Sequence, residues 1–243
     1  MQQAAVPMID QGTALSRPAT RHFPSEEGVL SARRGYWNQY YSQSARRTPP
    51  SQFAAFVANE FGGHELIVDV GCGNGRDTVF FAQLGFRTLG VDASDTAVTH
   101  CRTLIEGSDR PGDHNQFICR NVLDLRDDQH LLASIRDTRK IVYSRFFLHA
   151  IDVHEEQAFF DFAFAGMQAG DVLAVEFRTS QDAGRAKVTG AHYRRYIEST
   201  DLVQTVVDRY GAQVLYLAEG TGFAKYKADD AHVCRLVLGA PQP

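Results

Sequence analysis

The segment "DVGCGNGRD", residues 69–77, sets glycines at 71, 73 and 75 behind an aspartate, and a second aspartate stands at 92 in "GVDAS". Glycine gives up more conformational freedom on folding than any other residue. Three in one loop therefore imply left-handed turns or a close approach by something else. The apolar run "ELIV" before the loop reads as a strand and "DTVFFAQLG" after it as a helix. Such a unit is the usual ligand cradle of an open α/β sheet, at the carboxyl edge where the chain switches direction. The dinucleotide fingerprint GxGxxG uses its third glycine for close helix packing, with a pyrophosphate on the helix N-terminus. Here that position holds Arg76, and the glycine comes one residue early as Gly75. Asp69 would repel a pyrophosphate and attract an ammonium. Asp92, about twenty residues on, is placed to accept hydrogen bonds from a ribose diol. These residues describe a nucleoside ligand with an amine-bearing tail and no phosphate.

The elements that must position them alternate. Strands are expected at "ELIVDV", "FRTLGVD", "NQFICRN", "KIVYSRF", "DVLAVEF", "AQVLYLAE" and "AHVCRLVLG". Helices fall between the first six: residues 76–84, a segment opened by Ser94 as N-cap, a short one near 128–136, one opened by Asp152 with Glu155 completing a capping box, and residues 198–210. This alternation means a doubly wound, mostly parallel α/β sheet. Only "GTGFAKYKADD" joins the last two strands, so they form an antiparallel hairpin. A helix is also expected in "PPSQFAAFVANEFGG", with order beginning at "RRGYWNQYYSQ". Residues 1–30 read as a flexible tail and 31–243 as one domain.

The 243 residues carry a net charge of −4, which gives no general attraction to nucleic acid or anionic membrane. No run approaches the roughly 18 apolar residues of a spanning helix, and the N-terminus lacks the form of a signal peptide. The four cysteines are scattered without metal spacing, so no metal site and a reduced, cytoplasmic setting are expected.

The set "DVGCGNGRDT…GVDAS" resembles motif I and the following acidic residue of class I S-adenosylmethionine-dependent methyltransferases, over about residues 35–240. The resemblance implies a Rossmann-like seven-stranded sheet of order 3-2-1-4-5-7-6, S-adenosylmethionine as cofactor and S-adenosylhomocysteine as product. By that resemblance Asp69, Gly71, Cys72, Gly73 and Gly75 would line the methionine end, and Asp92 with Ala93 the ribose. Asn121 with Val122 would meet the adenine, and Ser144 belongs to the same cofactor set. Family members often carry an aspartate where Asn121 stands; an asparagine can still accept through its amide oxygen. Cys72, with no histidine near it in sequence, reads as a small filler rather than a nucleophile.

Substrate should approach from the same edge. The fourth strand ends in "YSRFFLHAI" (Tyr143, Arg145, His149) and the fifth in "EFRT" (Glu176, Arg178). Later loops bring His192, Tyr193, Arg194 and Arg195, then Lys225, Tyr226 and Lys227. Gathered cations suit an anionic acceptor, since arginine forks match phosphate or carboxylate. Arg145, Arg178, Tyr193, Arg194, Lys225 and Tyr226 are the expected substrate contacts. An anionic oxygen needs no general base; a hydroxyl does, and His149 or His192 would serve, with Arg145 assisting. The plainer readings stand beside these: each arginine paired with a carboxylate, and His149 capping a helix. The resemblance also implies that the segment of Trp37, Tyr40 and Tyr41 folds over the cofactor, with packing as core the plainer reading. "YWNQYY…PSQFAAFV", "YSRFFLHAI", "GAHYRRYI" and "EGTGFAKYK" also resemble bacterial methyltransferases found alongside surface-polysaccharide and phosphorylated-sugar assembly, distantly similar to the tellurite and thiopurine methyltransferase group. That resemblance implies O-methylation of a small sugar-linked or phosphorylated acceptor. N- or S-methylation of a small metabolite, and a non-catalytic cofactor-binding module, are the alternatives.

Overall fold

The computed structural model describes residues 26–43, 49–106, 115–185, 187 and 192–241. Helix α1 (Glu26–Ser42) precedes α2 (Gln52–Glu60), after which strands and helices alternate. They run β1 (Leu66–Val70), α3 (Arg76–Gln83), β2 (Arg87–Asp92), α4 (Asp95–Glu106), β3 (Asn115–Cys119), α5 (Val122–Leu125) and α6 (Gln129–Arg136). The second half comprises β4 (Lys140–Arg145), α7 (Val153–Gly166), β5 (Val172–Arg178), α8 (Ser199–Tyr210), β6 (Gln213–Gly220) and β7 (Val233–Gly239). The seven strands form one sheet in the order β3-β2-β1-β4-β5-β7-β6. All neighbours are parallel except β7, which runs antiparallel to both β5 and β6. The order is the one the resemblance implies, and the hairpin is as the sequence predicts.

Period-two alternation within each strand makes two apolar layers. Leu66, Val68 and Val70 face one side with Leu89, Val142, Leu173 and Leu236, under apolar residues of α5 to α8. Ile67 faces the other with Ile141, Ala174 and Val237, under Phe53 of α2 and Phe81 of α3. All five residues of β1 are buried, as a central parallel strand covered by helices requires.

The helix caps follow their sequence signals. Asp152 and Glu155 make both halves of the capping box on α7, and the Ala97 amide donates to Ser94 Oγ at 3.1 Å. Two boundaries differ from expectation. Helix α1 begins at Glu26, inside the segment read as a tail, whose residues 1–25 lie outside the described set. Strand β3 ends at Cys119 rather than 121, because Asn121 turns the chain and caps α5, accepting from the Leu123 amide at 2.9 Å. On the outer strand β6, a bulge between Val214 and Tyr216 shifts the register against β7.

At the amino edge of the sheet, Lys140 is fully buried and its ammonium donates to Asp171 Oδ2 at 2.5 Å. Asp171 also accepts from the amides of Lys140 and Gln168. Asp171→Ala would leave an uncompensated buried cation, so a loss of about 3–5 kcal/mol in urea unfolding is expected. Replacing both partners, Lys140→Met with Asp171→Leu, is expected to cost far less.

Candidate active site

The carboxyl ends of β1, β2, β4 and β5 open on one cavity of about 920 Å³, located where the strand order reverses between β1 and β4. At one end lies the glycine loop. The amides of Gly71 and Cys72 donate to the Val91 carbonyl, which leans the loop against β2. Gly71 and Gly73 adopt φ of 76° and 53°, where a side chain would strike the Phe147 ring and the Tyr41 hydroxyl respectively. Asp92 accepts from the Gly73 amide through Oδ2 at 2.8 Å and from the Ser94 amide through Oδ1 at 2.9 Å. Burial raises the Asp92 carboxyl, and those amides partly offset the rise. Asp69 is 3 % exposed and accepts from Thr78 Oγ1 at 2.5 Å. Burial, reinforced by nearby Asp77 and Asp92, pushes its carboxyl up to about 8, against the Thr78 hydrogen bond and Arg145. A desolvated carboxylate of this kind suits a cationic ligand group.

Ala93, Asn121 and Val122 join Asp69, Gly71, Cys72, Gly73 and Asp92 on the cavity wall. Two expected cofactor residues do not. Gly75, at φ 75°, is the N-cap of α3, and Ser144 spends its hydroxyl on the Val70 carbonyl at 2.8 Å. Asn121 reaches the wall with its amide oxygen already accepting from Leu123. Cys72 and Cys101 both donate to the Gly73 carbonyl, and the Cys72 thiol is raised well above its usual value by the Cys101 hydrogen bond and by burial. That holds Cys72 as a thiol, the filler predicted rather than a nucleophile.

Helix α1 roofs the cavity with Tyr36, Trp37, Tyr40 and Tyr41. Three ties fasten it. Arg33 pairs with Asp152 and Glu155 of the α7 capping box, Ser94 Oγ donates to Asn38 at 2.6 Å, and Tyr36 meets His192 Nδ1 at 3.1 Å. Tyr36 and His192 also stack, 5.1 Å between centroids, so His192 belongs to the roof.

The other end carries the expected acceptor residues. Arg145 donates from Nε to Glu176 Oε1 at 2.8 Å, and Arg235 donates to Oε2 of the same carboxylate at 2.8 Å. The two terminal nitrogens of Arg145 make no hydrogen bond among the described residues, and its guanidinium lies 4.2 Å over the Phe146 ring. Arg178 lies differently from expectation. It is 5 % exposed, and its terminal nitrogens are taken by Asp182 at 2.6 Å and Asp229 at 2.7 Å, so it builds the wall rather than offering a fork. Arg194 and Tyr226 line the cavity, whereas Tyr193, beneath the Arg33 guanidinium, and Lys225 do not. The cations expected at this edge do not make a positive pocket: among the described residues, seven arginines and seven carboxylates share the wall.

His149 is buried, and its Nδ1 accepts from the Arg178 amide at 3.3 Å. Burial and the charge of Arg178 lower its pKa well below 6.5. The neutral ring therefore carries its proton on Nε2, the nitrogen left to face the cavity, and acts there as a donor. The general-base role open to His149 in the sequence is thereby disfavoured.

Sequence reasoning missed three residues. Asp77 accepts from the Ser51 amide, the Ser51 hydroxyl and the Tyr143 hydroxyl, tying α2, α3 and β4 beneath the cavity. Its position beside Arg76 in "GRD" was the available signal. Arg33 gave none, since its partners lie 119 and 122 residues away. Nor did Phe146, whose φ of 56° is a tertiary outcome.

Residues 67–170 match the family described as a methyltransferase domain. Among curated proteins none matches the chain in sequence. A 1,6-didemethyltoxoflavin N1-methyltransferase from Burkholderia thailandensis superposes with a TM-score of 0.67 at 16% identity, covering 95% of this chain and 93% of that one. An S-adenosylmethionine-dependent methyltransferase from Anabaena variabilis gives 0.64 at 16% identity, over 87% of this chain and 95% of its own. The [4+2]-cyclase SpnF gives 0.62 at 14% identity over 79% and 82%. A cyclase among these neighbours shows that this fold does not by itself fix the reaction. What the fold leaves open the matched residues 67–170 narrow: over that stretch the chain is similar to methyltransferase domains.

Proposed function

We propose that the protein methylates a small acceptor bearing an anionic group, with Arg145 holding that group and no side chain acting as general base. One observation carries this reading: the loop with Asp69 and Asp92 and the half-used guanidinium of Arg145 share a single cavity. When bound, S-adenosylmethionine would supply an electrophilic methyl group. Asp69 would meet its ammonium, Asp92 its ribose hydroxyls, and Ala93, Asn121 and Val122 the adenine side. The roof of α1 excludes water from that end. Arg145 orients the acceptor, and orientation of reacting groups is worth on the order of 7–11 kcal/mol. An anionic oxygen attacks without losing a proton, which agrees with His149 being a donor. O-methylation is therefore the leading form. The phosphorylated and sugar-linked acceptors suggested by the wider resemblance fall within the anionic class.

A second reading, N-methylation of an uncharged ring nitrogen, draws support from the equal numbers of arginines and carboxylates on the wall. A similar structure bears the name of an N1-methyltransferase of 1,6-didemethyltoxoflavin. Measuring S-adenosylhomocysteine release with anionic, neutral heteroaromatic and thiol acceptors separates the readings. Turnover restricted to neutral acceptors would remove the anionic one. With an anionic acceptor, Arg145→Ala is expected to lower kcat/KM about 10- to 100-fold, the value of a charge-assisted hydrogen bond, while S-adenosylhomocysteine affinity is unchanged.

Asp69 gives a pH signature. Its carboxyl titrates near 8 in the free protein, and an adjacent ammonium lowers that value, so the complex holds fewer protons at pH 7. Calorimetry in buffers of different ionisation enthalpy should show close to one proton released on S-adenosylmethionine binding at pH 7. Affinity should strengthen as pH rises toward 8, and Asp69→Asn should abolish the proton release.

A further inference from the structure

Arg76 stands where a dinucleotide-binding loop has its third glycine, and the contacts proposed above give it no part. It is the first residue of α3, and it lines the cavity together with Asp69, Gly73 and Asn74. Its Nε donates to the Pro49 carbonyl at 2.5 Å and lies 3.9 Å from Asp77 Oδ1. Among the described residues its two terminal nitrogens make no hydrogen bond. Asp77 is not turned toward them, since its oxygens accept from the Ser51 amide, the Ser51 hydroxyl and the Tyr143 hydroxyl. The place is a poor one for a cation. A helix N-terminus carries positive partial charge, and Gly75 at the N-cap has no side chain to offset it. Burial lowers the Arg76 pKa in addition. An anion against this guanidinium would relieve both costs.

The glycine loop leaves such an anion few donors of its own. The amides of Gly71 and Cys72 are spent on the Val91 carbonyl, that of Gly73 on Asp92, and that of Gly75 on the Cys72 carbonyl. A carboxylate at this end must therefore be met by a side chain. Thr78 follows Arg76 by two residues in the first turn of α3, and its hydroxyl donates to Asp69 Oδ2 at 2.5 Å. Asp69 and Arg76 thus belong to a strand end and a helix turn that touch. An amino acid carries its ammonium and its carboxylate on one carbon. A tail whose ammonium meets Asp69 brings its carboxylate to the same stretch of wall.

We infer, resting on the methyltransferase reading above, that Arg76 binds the carboxylate of the cofactor's methionine tail through its two terminal nitrogens. One planar fork matches the two oxygens and single charge of a carboxylate. The bond from Nε to Pro49 fixes the guanidinium and leaves its outer edge to the ligand. Asp69 and Arg76 then make a matched pair for a zwitterion. That pair sets a preference for a nucleoside with a complete amino-acid tail over one that carries the amine alone.

The test is calorimetry on the full chain with S-adenosylhomocysteine and with its decarboxylated analogue, which keeps the amine. Arg76→Gln retains a donor for the Pro49 carbonyl while removing the charge and the fork. It is expected to weaken S-adenosylhomocysteine about 10- to 100-fold, the value of a charge-assisted contact, and to leave the analogue unchanged. The wild-type protein should prefer S-adenosylhomocysteine by a similar factor. Arg76→Lys, which keeps the charge and loses the fork, should keep only part of that preference, and it supplies the reading if Arg76→Gln does not fold. Asp69→Asn should weaken both ligands, since both carry the amine, and Arg145→Ala should weaken neither. Equal losses for the two ligands in the Arg76 variants would make Arg76 a purely structural residue and overturn the inference. So would an unchanged S-adenosylhomocysteine affinity, or a carboxylate preference that disappears with Arg145→Ala instead. Failure of S-adenosylhomocysteine to bind the wild-type protein would overturn the reading beneath, and is seen separately in the first titration.

Discussion

The carboxylate of Asp92 joins the two loops that bound the cofactor end of the cavity. One oxygen takes the Gly73 amide from the turn after β1 and the other takes the Ser94 amide from the turn after β2. Charge-assisted bonds of this kind are roughly twice as strong as neutral ones. The chain of contacts continues outward, since the Ser94 hydroxyl caps α4 and donates to Asn38 in the roof helix. The glycine loop, the start of α4 and one of the three ties of the roof are thus linked through one side chain. The same residue offers the ribose contact in the proposed complex, so cofactor and scaffold share a single anchor.

The acceptor half is organised by ion pairs instead. Glu176 is shared by Arg145 and Arg235, and Arg178 by Asp182 and Asp229. Burying such pairs costs desolvation that their attraction barely repays, so their value lies in fixed geometry more than in stability. They turn what the sequence presents as a row of cations into a wall of paired charges, in which the terminal nitrogens of Arg145 carry no hydrogen bond among the described residues.

The fold was legible because its signals are local. Alternating apolar residues in "ELIVDV", Ser94 ahead of α4, and Asp152 with Glu155 on α7 each act within a few positions, and the structure follows them. The glycine loop was legible for the same reason, apart from Gly75, which serves helix α3. The acceptor half was not. Arg178 finds Asp229 at a separation of 51 residues, and Arg33 finds Glu155 at 122, so whether an arginine is open or paired depends on tertiary contacts no window of sequence contains. His149 shows the same limit: its residue type suggested a base, and a backbone amide from Arg178 made it a donor.

The bulge on β6 has a consequence for the sheet as a whole. An outermost strand ordinarily offers a ladder of unpaired amides and carbonyls on which a neighbouring molecule's strand can dock. Here the irregularity at Val214 to Tyr216 interrupts that ladder near its start and twists the margin away from flatness. With Val214, Leu215 and Leu217 exposed along it, a flat margin would be an aggregation hazard; the kink closes the array at its seventh member.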